Sequence, residues 1–271
     1  MIPVTVITIN RNNAAGLEKT MHSVAGQTFR NFQYIVVDGA STDGSVAVAR
    51  GFDFSGIAAY RFTSEPDSGI YNAMNKGIDA ATGRYLLFLN SGDTFADDGV
   101  LERIGPYLAG DADFVLGRVN VVTDGAVTGH SKALAECDFT LYNMYLQGIP
   151  HQAAFIKRSL FDGCRYDESL RINSDWKFFV SKIVLSGASV TAVDLFVADY
   201  DGSGISSVDM PRLLEERESV LRTLLPERVA VDYIKLFPHS YEVTRLKWLL
   251  NHRFFYRLYR LMCSAGMKII R

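Results

Sequence analysis

Cysteine is nearly missing from this sequence. Cys137, Cys164 and Cys263 stand far apart, are odd in number and form no CxxC or Cys/His spacing. Neither a disulfide framework nor a thiolate zinc site is therefore expected, and the three read as reduced thiols of a cytoplasmic protein. No hydrophobic run approaches the ~20 residues needed to span a bilayer. The amino terminus, MIPVTVITINRN, has neither the basic n-region nor the small-residue cleavage site of a signal peptide, and reads as a strand of the fold itself. Excess charge is missing too: 28 Lys and Arg against 30 Asp and Glu give a net charge of −2 and a pI of about 6.2. The basic footprint of a nucleic-acid binder is not there. What is present is a chain of 271 residues, 48% hydrophobic, able to bury a full core as one large domain or two small ones.

The first half alternates short β-branched or aromatic runs with helical spacing. Val4 to Ile9 reads as a strand, followed by an Asn12–Asn13 start signal and Leu17, Met21 and Val24 at helical intervals. Phe32 to Val37 is the next strand, and Val46 to Arg50 turns helically. Ala59 to Thr63 leads into a helix from about Ile70 to Ala81, closed by Gly83, and then to the strand Tyr85 to Leu89. Repeated strand–loop–helix units predict a mostly parallel sheet covered by helices. After about residue 110, Phe114 to Leu116, Val119 to Val122 with an Asp124–Gly125 turn, and Ala153 to Ile156 suggest antiparallel additions. Trp176 to Leu185 reads as a helix with Gly187 beyond it, and from Pro211 onward the pattern is mainly helical.

In parallel sheets ligands bind beyond the carboxyl ends of the strands. Polar clusters fall at those ends here: Thr8, Asn10 and Arg11; Asp38, Ser41 and Asp43; Glu65 and Asp67; Asn90 and Asp93. Turn formers explain any one of them. Four successive exits carrying side-chain oxygens point to a shared crevice. In LLFLNSGD a strand buried on both faces ends at once in an amide, a hydroxyl, a glycine and a carboxylate.

VTVITINRN, YIVVDGASTDGS, SEPDSGIYNAMNKGIDAATGRYLLFLNSGD, GIPHQAAFIKRSLF and NSDWKFF, in that order over about residues 2 to 180, resemble the family 2 inverting nucleotide-sugar glycosyltransferases of GT-A fold. The likeness is greatest to bacterial enzymes that build capsule, exopolysaccharide or glycolipid sugars. It implies an α/β fold with a Rossmann-like, mostly parallel sheet, a catalytic domain over 1–210 (1–110 nucleotide-binding, 111–210 acceptor-binding) and a helical extension over 211–271. It also implies a nucleotide-sugar donor, UDP-sugar favoured, a glycan or lipid-linked acceptor, and Mg2+ or Mn2+.

Each role is carried by the resemblance to a matching position. Thr8, Asn10 and Arg11 stand where the family binds the nucleoside, and Asp38 where it accepts a hydrogen bond from the base, with uracil, thymine and guanine all open. Asp43 caps the helix near Ser45 or joins that site. Asp67 lies in a loop that closes on the donor, and Lys76 reaches a phosphate or stands exposed on its helix. Asp93 matches the last acid of the metal motif and Gly92 lets the backbone approach the diphosphate, with Ser91 beside them. Asn90 departs from the usual carboxylate, although an amide oxygen still serves a metal or a ribose hydroxyl. His151 falls near the diphosphate or metal. Asp175 is the expected general base, or else a helix cap, and Ser174 replaces the usual Glu. ITINRNNAAG has neither the Gly-rich phosphate loop of a nucleotidyltransferase nor GxGxxG. No QxxRW-like segment marks a processive synthase. An inactive sugar-binding or lipid-binding module is the competing class, with Asn90 and Ser174 as its signs.

From Val243 to Arg271 there is no acid, while Arg245, Lys247, Arg253, Arg257, Arg260, Lys268 and Arg271 are basic and Trp248, Phe254, Phe255, Tyr256, Leu258, Tyr259 and Leu261 interleave. That composition suits a helix lying on an anionic membrane at the inner face of the plasma membrane. Packing on the catalytic domain or in a homodimer is the alternative.

Overall fold

Three fully buried strands and a half-exposed edge strand set the frame of the computed structural model, which describes residues 3–135, 138–202, 209–236 and 252–269. β1 (Val4–Asn10), β2 (Gln33–Asp38) and β4 (Tyr85–Phe88) are buried at every position, and β3 (Ala59–Ser64) forms the half-exposed edge. These four pair in parallel in the order β3-β2-β1-β4. Near-continuous apolar runs are what a sheet covered on both faces requires. β1 runs on through a helix to β2 on one side, while β4 lies on its other side. The order of connection therefore reverses at the β1/β4 boundary, and a crevice opens at the carboxyl ends there.

The covering helices follow the apolar spacing. α1 (Ala14–Ala25) starts where the Asn13 side chain accepts from the Gly16 N–H, and it buries Leu17, Thr20, Met21 and Val24. α2 (Ser45–Gly51) is short. One carboxylate, Asp43, accepts from the N–H of Ser45 and from the N–H of Ala14, so it serves the starts of both α2 and α1. α3 (Ile70–Ala80) lies so close to β1 that a Cβ on Gly77 would stand 2.5 Å from Ile7 Cγ2.

Beyond β4 the sheet becomes mixed. β5 (Thr94–Phe95) and α4 (Val100–Ala109) precede β6 (Phe114–Thr123), which turns at Asp124–Gly125 into β7 (Ala126–His130). After α5 (Leu141–Leu146), β8 (Ala154–Lys157) inserts antiparallel between β4 and β6, as expected. α6 (Ser174–Phe179) continues as a π-helical turn, Val180–Leu185, where the sequence predicts one regular helix. The twelve-residue β9 (Val190–Asp201) pairs in parallel with β6 and antiparallel with β5. That strand has no counterpart in the sequence reading, because Asp194, Asp199 and Asp201 interrupt its apolar alternation. Among the described residues the sheet has nine strands in the order β3-β2-β1-β4-β8-β6-β9-β5, with β7 beside β6.

The chain divides into two compact units, Met1–Arg217 and Glu218–Arg271. α7 (Met210–Leu224) runs across that boundary, and α8 (Glu227–Leu236) and α9 (Arg253–Ile269) follow. Within the second unit Arg222 pairs with Glu218 at 2.9 Å and also with Glu227. Cys137 and the tail residues Arg245, Lys247, Trp248 and Arg271 lie outside the described residues. No helix of the described residues is long and apolar enough to cross a membrane.

Candidate active site

At the ends of β1, β2 and β3 the register aligns Asn10 with Asp38 and Asp38 with Ser64. Asp38 becomes the hub of that row. Its Oδ1 accepts from Asn10 Nδ2 at 2.8 Å and Ser41 Oγ at 2.5 Å, and its Oδ2 from the Ser41 N–H at 2.9 Å and Ser64 Oγ at 2.7 Å. Burial pushes its carboxyl up, but these donors outweigh burial and hold it below the usual range. With both oxygens filled and no exposed surface, Asp38 organises the loops in this structure and offers no open acceptor to a base.

Thr8 is likewise buried, donating to Leu89 O at 2.6 Å and accepting from the Tyr34 hydroxyl at 3.0 Å, which ties β1 to the end of β4. Lys76 lies against Glu65 and the carbonyl of Pro66, both at 2.8 Å, outside the cavity lining. All three residues, Asp38, Thr8 and Lys76, are engaged by protein groups in this structure and none lines the cavity. Gly92, at φ +109, takes a backbone region that favours glycine, and its N–H donates to Thr20 Oγ1 at 3.0 Å.

Other expected residues converge. A cavity of about 1170 Å3 within the first unit is lined by Asn10, Arg11, Asp67, Asn90, Ser91, Asp93, His151 and Asp175, among others. Arg11, mostly exposed, stands 3.7 Å from the buried carboxylate of Asp67 across one wall. Elsewhere in the lining Asn90 Nδ2 lies 3.2 Å from His151 Nε2, and His151 Nδ1 lies 2.9 Å from Asp175 Oδ2. The order of these contacts assigns the tautomer: Nδ1–H donates to Asp175 and Nε2 accepts from the amide. Both ring nitrogens are then engaged by protein groups. Asp175 Oδ1 accepts from the Tyr71 hydroxyl at 3.0 Å and the Trp176 N–H at 2.8 Å.

Burial pushes the Asp175 carboxyl up, yet the hydrogen bond and charge of His151, with the other donors, hold it below its ordinary value. Burial pushes His151 down, and the same pairing with Asp175, aided by Asp93, raises it overall. The pair is an ionised carboxylate oriented by an imidazole. Asp93 differs. It accepts from the Asp201 N–H at 2.9 Å and Gln152 Nε2 at 3.2 Å, and burial pushes its carboxyl up to about 6 against those bonds and the charge of His151.

The oxygens fit a hard divalent cation: Asn90 Oδ1 is buried with no hydrogen-bond partner, and the Asp93 carboxylate carries desolvated charge in the same cavity. Among the described residues no cluster of three or more His, Cys, Asp or Glu could hold a metal. Such a cation would rest on one carboxylate, one amide oxygen and its ligand, as Mg2+ does when it keeps several waters. Tyr71, Gln152 and Asp201 were not singled out in the sequence. The first two stand inside the quoted segments SEPDSGIYNAMNKG and GIPHQAAF, so position was their signal. Asp201 ends the strand that the sequence reading missed.

A mixed α/β sheet whose parallel half ends in a polar cavity at its switch point defines a ligand-binding fold of the doubly wound class. The family follows from comparison. The glycosyl transferase family 2 model matches residues 5–164, and the chain belongs to that family. It is a glycosyltransferase of GT-A fold that transfers a sugar from a nucleotide donor. A PGL/p-HBAD biosynthesis glycosyltransferase of Mycobacterium bovis is 29% identical over 85% of this chain and 87% of its own length. S. aureus TarS 1-349, solved with UDP-GlcNAc, shares the fold at TM-score 0.64 and 18% identity, over 88% of this chain and 72% of that one. The mannosyltransferase PcManGT of Pyrobaculum calidifontis, solved with GDP-Man and Mn2+, does so at TM-score 0.61 and 18% identity, over 97% and 80%.

Proposed function

We propose that this enzyme is an inverting, divalent-cation-assisted glycosyltransferase acting on a hydroxyl of a glycan or lipid-linked acceptor, with Asp175 as general base. The observation that carries the reading is that Asp93 and Asp175 line one cavity. Asn90 and His151 link the two sides, and Gln152, next to His151, reaches Asp93. A carboxylate has about four lone-pair positions, and protein donors occupy two on Oδ1 and one on Oδ2. The remaining Oδ2 position takes the acceptor proton as the acceptor oxygen bonds to the anomeric carbon and the nucleoside diphosphate departs on the opposite side. His151 positions that oxygen, and Tyr71 holds its partner.

Asp93 and the free oxygen of Asn90 are the groups that would hold Mg2+ or Mn2+, which when bound offsets charge on the leaving diphosphate. Arg11, Asn10 and Asp67 are assigned to the nucleoside end, with a UDP-sugar as the favoured donor. The full chain, assayed with UDP, GDP, dTDP and CDP with and without Mn2+ by thermal shift, tests base and metal together. A Mn2+-dependent rise with one nucleotide supports the reading. Binding without transfer or donor hydrolysis across a sugar-nucleotide panel favours an inactive binding module instead.

For location we propose the cytoplasmic face of the plasma membrane, held through α9. Phe254, Leu258, Leu261 and Met262 are exposed on that helix, with Arg257 and Arg260 exposed beside them. Apolar and cationic groups on one accessible helix suit an anionic lipid surface.

A further inference from the structure

Arg217 is a buried cation on the wall of the catalytic cavity. The residue is 9% exposed, and its guanidinium lies over Trp176 of α6. Nη1 donates to the carbonyl of Tyr145 at 2.7 Å, Nε donates to Asn173 Oδ1 at 3.3 Å, and Cζ lies 5.2 Å from the centre of the Trp176 ring. Among the described residues no carboxylate stands within ion-pair distance of it and Nη2 has no hydrogen-bond partner. The nearby acids are already committed. Glu216 accepts from the N–H groups of Arg171, Ile172 and Asn173 and from Arg212, and Asp175 is answered by His151, Tyr71 and Trp176.

A buried guanidinium with no carboxylate in direct contact is costly, and a neutral side chain could make the same two hydrogen bonds without that cost. Burial pushes the guanidinium below its ordinary pKa, against the nearby charge of Asp175, which raises it. Location then decides which ligand would answer it. Asn90 and Asp93 connect to Asp175 only through His151 and its neighbour Gln152. Arg217 neighbours Asp175 itself, through Trp176 next to it and Asn173 two residues before it, and feels its charge. In an in-line displacement the acceptor occupies the base side and the diphosphate the opposite side. The free N–H groups of Arg217 therefore face the acceptor. Arg171, exposed on the same wall, adds a second cation at the mouth.

We infer that Arg217 receives an oxyanion, a phosphate or a carboxylate, carried by the acceptor, so that the enzyme glycosylates an anionic glycan or lipid. This rests on the assignment of Asp175 as the base. A planar guanidinium with a free edge recognises such groups through paired N–H bonds, which a lysine does not reproduce.

The test titrates inorganic phosphate, glucuronate and dihexanoyl phosphatidate into the full chain saturated with the nucleoside diphosphate it binds, read by calorimetry. Wild type, Arg217→Lys and Arg217→Gln are compared, with folding checked by circular dichroism. Wild type is expected to bind an oxyanion saturably while nucleotide is bound. Arg217→Lys should bind it about threefold to fivefold more weakly and Arg217→Gln at least about tenfold more weakly, with nucleotide affinity unchanged in all three. Tighter phosphatidate assigns the anion to a lipid phosphate and tighter glucuronate to a uronic acid. Equal affinity in wild type and Arg217→Gln overturns the inference, as does competition between phosphate and nucleotide or no saturable anion binding to wild type. If the Gln variant does not fold, equality between wild type and Arg217→Lys overturns it. Failure of every nucleotide to bind refutes the donor reading instead, and the same titration on the free chain then decides Arg217.

Discussion

Replacing Asp93 by Asn should make the ligand-free protein more stable while disabling it. In the folded chain burial raises the Asp93 carboxyl from 3.8 to about 6. A folded pKa above the unfolded one means that this group's stabilising contribution is complete below pH 3.8 and is lost as pH rises through about 6. At about 1.4 kcal/mol per pH unit, the ionised form costs the folded state about 3 kcal/mol at pH 7.5, and roughly half that at pH 5. Asparagine does not titrate. Its Oδ1 can keep the 2.9 Å bond from the Asp201 N–H, and a flip of the Gln152 amide restores the second contact. At about 2–4 °C per kcal/mol for a unit of this size, Asp93→Asn should melt about 6–12 °C above wild type at pH 7.5 and about half as far above it at pH 5. Thermal denaturation at the two pH values measures the difference. Nucleotide with Mn2+ at about 100 times Kd should raise wild type by about 2.7 kcal/mol and leave the variant nearly unmoved. An Asp93→Asn protein no more stable than wild type at pH 7.5, or a gap that does not change with pH, refutes the reasoning.

Three further outcomes are expected. Asp175→Asn keeps the contacts from Tyr71 and Trp176 but cannot take a proton, so kcat should fall about 100-fold to 10,000-fold with donor KM little changed; steady-state kinetics with a competent acceptor checks it, and a loss of only a few fold removes Asp175 as base. Gly77→Val drives a side chain into Ile7 and should destabilise by about 1–3 kcal/mol or more in urea titration. Deleting residues 253–271 should abolish sedimentation with anionic liposomes and leave neutral liposomes unbound by either protein; equal sedimentation of the full chain and the truncated chain counts against attachment through α9.

The fold was legible where burial and period agree. β1, β2 and β4 announce themselves as apolar runs because both faces are covered, and α1 and α3 because one face is. β9 was not legible: its exposed Asp194 pairs with Arg118 and Asp199 accepts from Asn120, contacts made only after the strand has found β6. The polar groups at strand ends were all visible, but the sequence does not tell a group that meets a ligand from one that holds the ligand's neighbours. Asp38 and Asn90 show the difference. Both are polar residues at strand exits, yet folding saturates the first with four donors and leaves an oxygen of the second unpartnered. Arg217 carries no mark in the chain beyond one basic letter in a helix. Its meaning arises when Trp176 and Tyr145 close around it.

The final backbone N–H of β9 reaches Asp93 across 108 residues of chain. β9 belongs to the later part of the sheet, so a carboxylate at the end of the parallel part is steadied by a strand that the chain reaches only much later. Without that strand Asp93 would keep only the Gln152 amide of its two donors.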